Sequence, residues 1–342
     1  MTSYAHNLTR RITVLALCLI TLAACDSEQR RLIDLALDPP KRETIDTSRV
    51  GVNNFFVDSQ FGGIATQYSD IKNNLGIKHI RVLLAWTNDV QSSPKSAPNF
   101  SFYDNILNNI PAGVDVLPVL VHTPDWMSNS SNWVAGNPRL TWVEKWLRPV
   151  LNRYKNVPGI VGWEVWNEPD DITLASDSVL GLTDPANYFE LLSLSSGVIR
   201  ATDPSSLIVV AATRAINQEH PLRVNYNQAL LELGAVNLVD VWNIHYYGEQ
   251  YENVIKDNGV KNLLNAIPRP TWITESGQQM PDQQLAYVET AWPFLRREIS
   301  SIDRIYYYEY ASPSPLASNF GLRTNDPGQP VSDLYVYLRD HK

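Results

Sequence analysis

The chain has 342 residues, 44% hydrophobic and 19% charged, enough for one large domain or two ordinary ones with a substantial core. Its formal charge of −8 excludes nucleic acid as the main partner, because phosphate binding needs a basic footprint. Both cysteines, Cys18 and Cys25, lie near the N-terminus, which excludes a disulfide framework or a cysteine metal site in the rest of the chain.

Arg10 and Arg11 precede a short apolar run, Ile12–Ala24, too short to span a bilayer comfortably, so residues 1–24 read as a signal peptide. The run ends in Leu22-Ala23-Ala24-Cys25, which resembles a bacterial lipobox. That resemblance implies cleavage before Cys25 and lipid on its sulfur and new amino group. The membrane is then a partner, and the chain belongs in a bacterial cell envelope, facing the periplasm or the cell surface. A plain signal peptide cleaved at a small-residue site is the alternative. Asp26 resembles an inner-membrane retention signal of some enteric bacteria, which leaves the choice of membrane open. Residues 25–47 are polar, with Pro39-Pro40, and read as a flexible tether from Cys25.

Beyond the tether, over 48–342, apolar runs alternate with helical stretches. Strands are expected at Val50–Val57, His79–Ala85, Val114–Val121, Ile160–Trp166, Leu207–Ala212, Val239–His245, Thr271–Thr274 and Arg304–Tyr310. Helices are expected around Ile64–Leu75, Tyr103–Asn109, Thr141–Tyr154, Asp184–Arg200, Asn227–Leu233, Val260–Ala266, Pro281–Ile299 and Ser332–Arg339. In Thr141–Tyr154 the apolar residues Val143, Trp146, Leu147, Val150, Leu151 and Tyr154 recur at helix spacing. The strands are uniformly hydrophobic rather than alternating, as in parallel sheets covered on both faces. This rhythm fits an α/β fold, a single-domain (β/α)₈ TIM barrel. A doubly wound open sheet shares the local pattern, although no glycine-rich phosphate turn follows the first strand.

The fourth strand ends in Trp163-Glu164-Val165-Trp166-Asn167-Glu168-Pro169, and the seventh in Trp272-Ile273-Thr274-Glu275-Ser276-Gly277. Catalytic groups of a barrel collect at the C-terminal strand ends, and strands four and seven face each other across the mouth. Two opposed glutamates are what glycoside hydrolysis uses, one to protonate the leaving oxygen and one to attack or to activate water. In isolation Asn-Glu-Pro is a weak tripeptide. Here the sequence resembles clan A of the glycoside hydrolases, the family 5 and family 39 type of barrel, over essentially all of 48–342.

The resemblance implies a retaining β-glycosidase with Glu168 as acid/base and Glu275 as nucleophile. It implies that Asn167 bonds the sugar 2-hydroxyl, that Arg81 orients and ionises the nucleophile, and that Tyr247 of His245-Tyr246-Tyr247 donates to it. Arg81 and Trp86 match Arg-x-x-x-x-Trp on strand two, and His122-Thr123-Pro124-Asp125-Trp126 lies close to Thr-Pro-x-Trp of family 39. Arg81 would equally serve an ion pair at the barrel bottom, and His122 a hydrogen-bonded core position. The family tryptophan under the −1 sugar is missing from Tyr306-Tyr307-Tyr308-Glu309-Tyr310, where alignment on Tyr-Glu places Tyr307.

Glu164 reads as structural, Trp142, Trp146 and Trp292 as core, and Asp170 and Asp171 as a solvated loop. Neither a cofactor nor a metal is expected, since no His/Asp/Glu cluster has ligand spacing. The expected partner is a β-linked oligo- or polysaccharide, met by a monomer. Trp86, Trp126 and Trp133, on or after strand ends, favour an open groove and endo action on a cell-surface or extracellular glycan. An exopolysaccharide-remodelling transglycosylase and a non-catalytic carbohydrate-binding barrel are the alternatives.

Overall fold

A computed structural model describes residues 26–171, 173 and 177–342. The signal peptide and Cys25 fall outside the described residues. Eight parallel strands form one sheet: β1 (Val50–Asn53), β2 (His79–Ala85), β3 (Asp115–Val121), β4 (Gly162–Val165), β5 (Leu207–Val210), β6 (Trp242–Tyr247), β7 (Thr271–Gly277) and β8 (Ile302–Tyr307). The order is β5-β4-β3-β2-β1-β8-β7-β6, and a parallel bridge between Val209 and Val241 joins its two ends. The sheet therefore closes into the expected (β/α)₈ barrel.

The strands are buried on both faces, and β7 is buried throughout its length. Leu117, Val209, Val241, Trp272 and Tyr306, all on or beside strands, form an apolar cluster separate from the large core between sheet and helices. Gly51 is needed there, since a Cβ on it would stand 2.4 Å from the Tyr306 ring. Trp142, Trp146 and Trp292 lie in the larger core, as expected.

Differences from the sequence expectation concern boundaries and one whole element. Strand β1 stops at Asn53, and Phe56 beyond it takes a left-handed φ of +58°, which no strand continues through. The helix expected from Thr141 starts at Pro138, because the Asn137 side chain accepts from the amides of Arg139 and Leu140 and proline suits the first turn.

The segment expected to be a tether is folded. Helix α1 (Ser27–Leu37) begins with a reciprocal capping box between Asp26 and Gln29. Its Leu32 and Leu35 pack against the core, and Arg31 pairs with Asp257. The chain beyond it is tied down by Arg42 to Glu289, Glu43 to Arg297, and buried Ile45. Among the described residues no helix is long and apolar enough to cross a membrane.

Candidate active site

The barrel interior near the mouth is polar. Buried Arg81, on β2, donates through Nε and Nη2 to both oxygens of Glu164 on β4, at 2.8 and 2.9 Å. It also reaches Glu275 on β7 at 2.6 Å, Asn53 on β1 at 2.9 Å and Asn167 beyond β4 at 2.6 Å. One planar guanidinium thus fixes four side chains from three other strands, a task suited to its rigid fork of donors. Burial alone would favour loss of its proton; the charges of Glu164 and Glu275 overcome this and raise its pKa. Glu164 has no exposed surface and also accepts from Asn243 at 3.0 Å, so it is structural, as read.

Above this layer stand Glu168 and Glu275. The backbone N–H of Glu168 donates to Ala212 at 2.9 Å, holding the end of β4 against the chain beyond β5. Trp166 and Glu168 take left-handed φ values of +77° and +43°, and His122 beyond β3 takes +67°. Such backbone is costly for non-glycine residues and gathers at functional sites.

Glu275 accepts from Arg81 on one oxygen and from the Tyr247 hydroxyl on the other at 3.0 Å. Burial pushes its pKa up. The charges of His245 and Arg81 and the bonds from Arg81 and Tyr247 outweigh that, leaving the carboxyl below its ordinary range.

His245 lies between the two glutamates. Its Nδ1 is 2.9 Å from Glu168 Oε1 and 3.6 Å from Glu275 Oε2. Burial lowers its pKa, but the Glu275 charge and the bond and charge of Glu168 raise it above the ordinary value overall. It has no exposed surface, so it acts on the carboxylates rather than on a ligand directly. One ligating atom each from Glu168, His245 and Glu275 lie within 4.8 Å of one another.

This trio is what could hold a metal ion among the described residues, and sequence spacing did not reveal it because each member comes from a different strand. Arg81 on Glu275, with Tyr247 on the second oxygen and His245 on Glu168, already occupies those donor atoms.

A cavity of about 410 Å³ opens over the pair, lined also by Tyr247, Tyr308 and Phe320 and by Arg214, Arg223 and Asp171. Its three aromatic rings contact one another edge to face, with centroids 5.7–6.3 Å apart, and Phe55 meets Tyr308 at 5.9 Å.

Of the residues singled out from the sequence, Glu168, Glu275, Arg81, Asn167, His245 and Tyr247 converge. The others do not. Trp86 is fully buried, bonded through its indole to Gln91 and packed on Trp126 and Trp146, so it has no surface to offer a sugar. Trp126 and Trp133 are half-buried, donate to the carbonyls of Gln91 and Met127, and do not line the cavity. His122 likewise lies outside it, half-buried, its carbonyl accepting from Trp142.

Tyr307 is a further correction. It is buried with its hydroxyl on Gln278 O at 3.1 Å, and its neighbour Tyr308 faces the cavity instead. Asp170 is not a solvated loop residue either: it accepts from the Arg214 backbone at 2.9 Å and faces Arg223 at 3.3 Å. Sequence reading missed Arg214, Phe320 and Phe55, for which no spacing signal existed.

A parallel eight-stranded barrel with two glutamates at opposed strand ends, one ionised by an arginine, has the architecture and site of a glycoside hydrolase. Residues 42–301 match the model of the cellulase family, glycosyl hydrolase family 5, and the chain belongs to that family. No curated protein matches. Among solved structures, a family 39 glycoside hydrolase from Bacteroides cellulosilyticus WH2 is similar, at 17% identity and TM-score 0.60. That match covers 87% of this chain and only 64% of that one. A monomeric β-xylosidase from Caulobacter crescentus CB15 shares 18% identity at TM-score 0.62, with 88% and 69% covered. A hyperthermostable endo-1,4-β-D-mannanase from Thermotoga petrophila RKU-1 shares 16% identity at TM-score 0.61, with 86% and 99% covered. At such identities the likeness is one of fold.

Proposed function

We propose that the chain hydrolyses β-glycosidic bonds with retention of configuration, by double displacement. The observation that carries this is the closeness of the carboxylates. One oxygen of Glu168 and one of Glu275 lie within 4.8 Å of each other, which fits the ~5–5.5 Å between the carboxyl groups of a retaining pair.

In the first step a Glu275 oxygen attacks the anomeric carbon. The bond to the leaving oxygen breaks, and Glu168 passes its proton to that oxygen. In the second, Glu168 takes a proton from water, the water oxygen attacks the same carbon, and the bond to Glu275 breaks. Arg81 and Tyr247 keep Glu275 ionised and aimed, and Asn167, held by Arg81, presents its amide to the sugar. The His245 imidazole steadies Glu168 while its proton leaves and returns.

The substrate we propose is a β-linked polysaccharide outside the cytoplasm, cut internally. The β-1,4-mannanase name of one structural neighbour supports that class, and the open cavity supports endo action. Cys25 is proposed as the lipid anchor. Because α1 starts only two residues later and docks on the barrel, the anchor would hold the catalytic domain close to the membrane rather than on a long leash. Labelling with a fatty-acid analogue, lost in Cys25→Ser, tests this.

The catalytic roles are tested with Glu275→Ala and Glu168→Ala on β-linked polysaccharides and aryl β-glycosides. Each variant is expected to lose at least about a thousandfold in kcat, of the order seen when a member of a catalytic pair is removed. Near-wild-type turnover by either would remove its assigned role.

A further inference from the structure

We propose that Arg214 makes the β5 side of the cavity an anion subsite, so that the preferred glycan carries an acidic group beside the scissile bond. The chemistry recognised is a fork of anionic oxygens, as in a uronic acid carboxylate or a sulfate ester. This rests on the glycosidase reading for its biological meaning, but its physical basis is separate.

The chain beyond β5, residues 211–218, is stitched between the ends of β4 and β6. The Ala212 carbonyl accepts from Glu168, Ile216 N–H donates to His245 O at 2.9 Å, and the Asn217 amide donates to Tyr247 O at 2.8 Å. Arg214 is in the middle of this segment, its backbone N–H bound by Asp170 at 2.9 Å. Its main chain is therefore fixed relative to both glutamates, while 46% of its side chain is exposed at the cavity wall.

Two guanidiniums line this cavity, and they are neutralised unequally: Arg223 by two close carboxylates, Arg214 by one distant one, Asp171, which shares the cavity. Arg223, 4% exposed, pairs with Asp170 at 3.3 Å and Glu219 at 3.0 Å. That leaves Arg214 without Asp170, whose one oxygen holds its backbone and whose other faces Arg223. The closest carboxylate to Arg214 among the described residues is Asp171, with Nε and Oδ2 4.0 Å apart, and its guanidinium makes no hydrogen bond among them. A rigidly mounted arginine with an open fork of donors, next to the reacting carbons, matches bidentate recognition of a carboxylate or sulfate.

Tyr247, Tyr308 and Phe320 line the same cavity and offer apolar ring surface, so a sugar can stack on a ring while presenting a charged substituent to Arg214. The net charge of −8 opposes an acidic ligand at long range, but salt screens that within about 8 Å. Selectivity must then come from the local contact.

The experiment measures binding, not turnover. Wild type, Arg214→Ala and Arg214→Lys are titrated by ligand-observed NMR with matched methyl β-glycosides: glucuronide against glucoside, galacturonide against galactoside, mannuronide against mannoside, and glucoside 6-sulfate. At least one acidic ligand is expected to bind about tenfold or more tightly than its neutral partner in the wild type, the effect of one charged hydrogen-bonded contact. Arg214→Ala should erase most of that ratio and Arg214→Lys should keep part of it. Whether carboxylate or sulfate is preferred identifies the source.

The proposal is overturned if no acidic ligand outbinds its neutral partner, or if the preference survives Arg214→Ala. Absence of hydrolysis with the preference intact would instead sink the glycosidase reading and leave the subsite standing.

Discussion

His245 and Glu168 form the contact on which both glutamates depend: Nδ1 stands 2.9 Å from Oε1 of Glu168 and also 3.6 Å from Glu275. Replacing His245 with Phe removes this bridge and leaves Arg81 and Tyr247, both on Glu275, as the groups that hold the pair. We expect kcat to fall about a hundredfold, in the range associated with a lost proton-handling group. A pH–rate profile should show its basic limb displaced. An unchanged profile would mean that the imidazole only fills space.

The titration shifts predict a window of stability. Glu275 has a depressed pKa, so its contribution is present above its ordinary value of 4.5 and is lost as pH falls through the lower folded value. His245 has a raised pKa, so its contribution is present below 6.5 and is lost as pH rises through the higher folded value. Thermal unfolding across pH should therefore lose stability on the acid side in wild type but less steeply in Glu275→Gln. The basic-side loss should shrink in His245→Phe.

Glu309, next to Tyr308, runs the other way. Burial, with the Glu275 charge as a smaller contribution, pushes its pKa up to about 7. A raised carboxyl stabilises the fold below 4.5 and loses that contribution as pH climbs to about 7. Glu309→Gln, which mimics the neutral acid, is expected to be more stable than wild type at pH 8 by up to about 3 kcal/mol and little different at pH 4. Chemical denaturation at the two pH values reads this directly.

Arg81→Lys keeps the charge but cannot reach Glu164, Glu275, Asn53 and Asn167 together. Two buried carboxylates then compete for one ammonium. Leaving a buried charge uncompensated costs about 3–5 kcal/mol, so both the midpoint of unfolding and kcat should fall. Retained stability with lost activity would show that Glu164 finds another partner.

The last residue of strand β8, Tyr307, and Tyr308 just beyond it separate sharply. Tyr308→Ala should raise KM and lower kcat/KM about tenfold, removing ring surface from the cavity. Tyr307→Phe should leave kinetics alone and cost about 1 kcal/mol of stability, the loss of its bond to Gln278. The reverse pattern would restore the sequence-based assignment.

These contrasts mark what was legible in the sequence. Glu168, Glu275, Arg81 and Tyr247 could be located because strand order sets which ends face each other, and motif position sets which residue ends a strand. Trp86 and Tyr307 could not, because one step of register at a strand end decides whether a ring faces the mouth or the surrounding core. In Trp86 the outcome is a stack on Trp146 with no exposed surface.

Helix α1 was hidden by its polar composition: only Leu32 and Leu35 touch the core, and the capping box at Asp26 and Gln29 was the signal available. Arg214 had no motif, and its placement follows from hydrogen bonds made by its backbone.

The most direct test of the central claim is proton NMR of the first product released from a β-linked substrate, recorded before mutarotation. Retention predicts the β-anomer first, with the α-anomer growing in later. An initial α-anomer would contradict the double displacement and the nucleophilic role of Glu275.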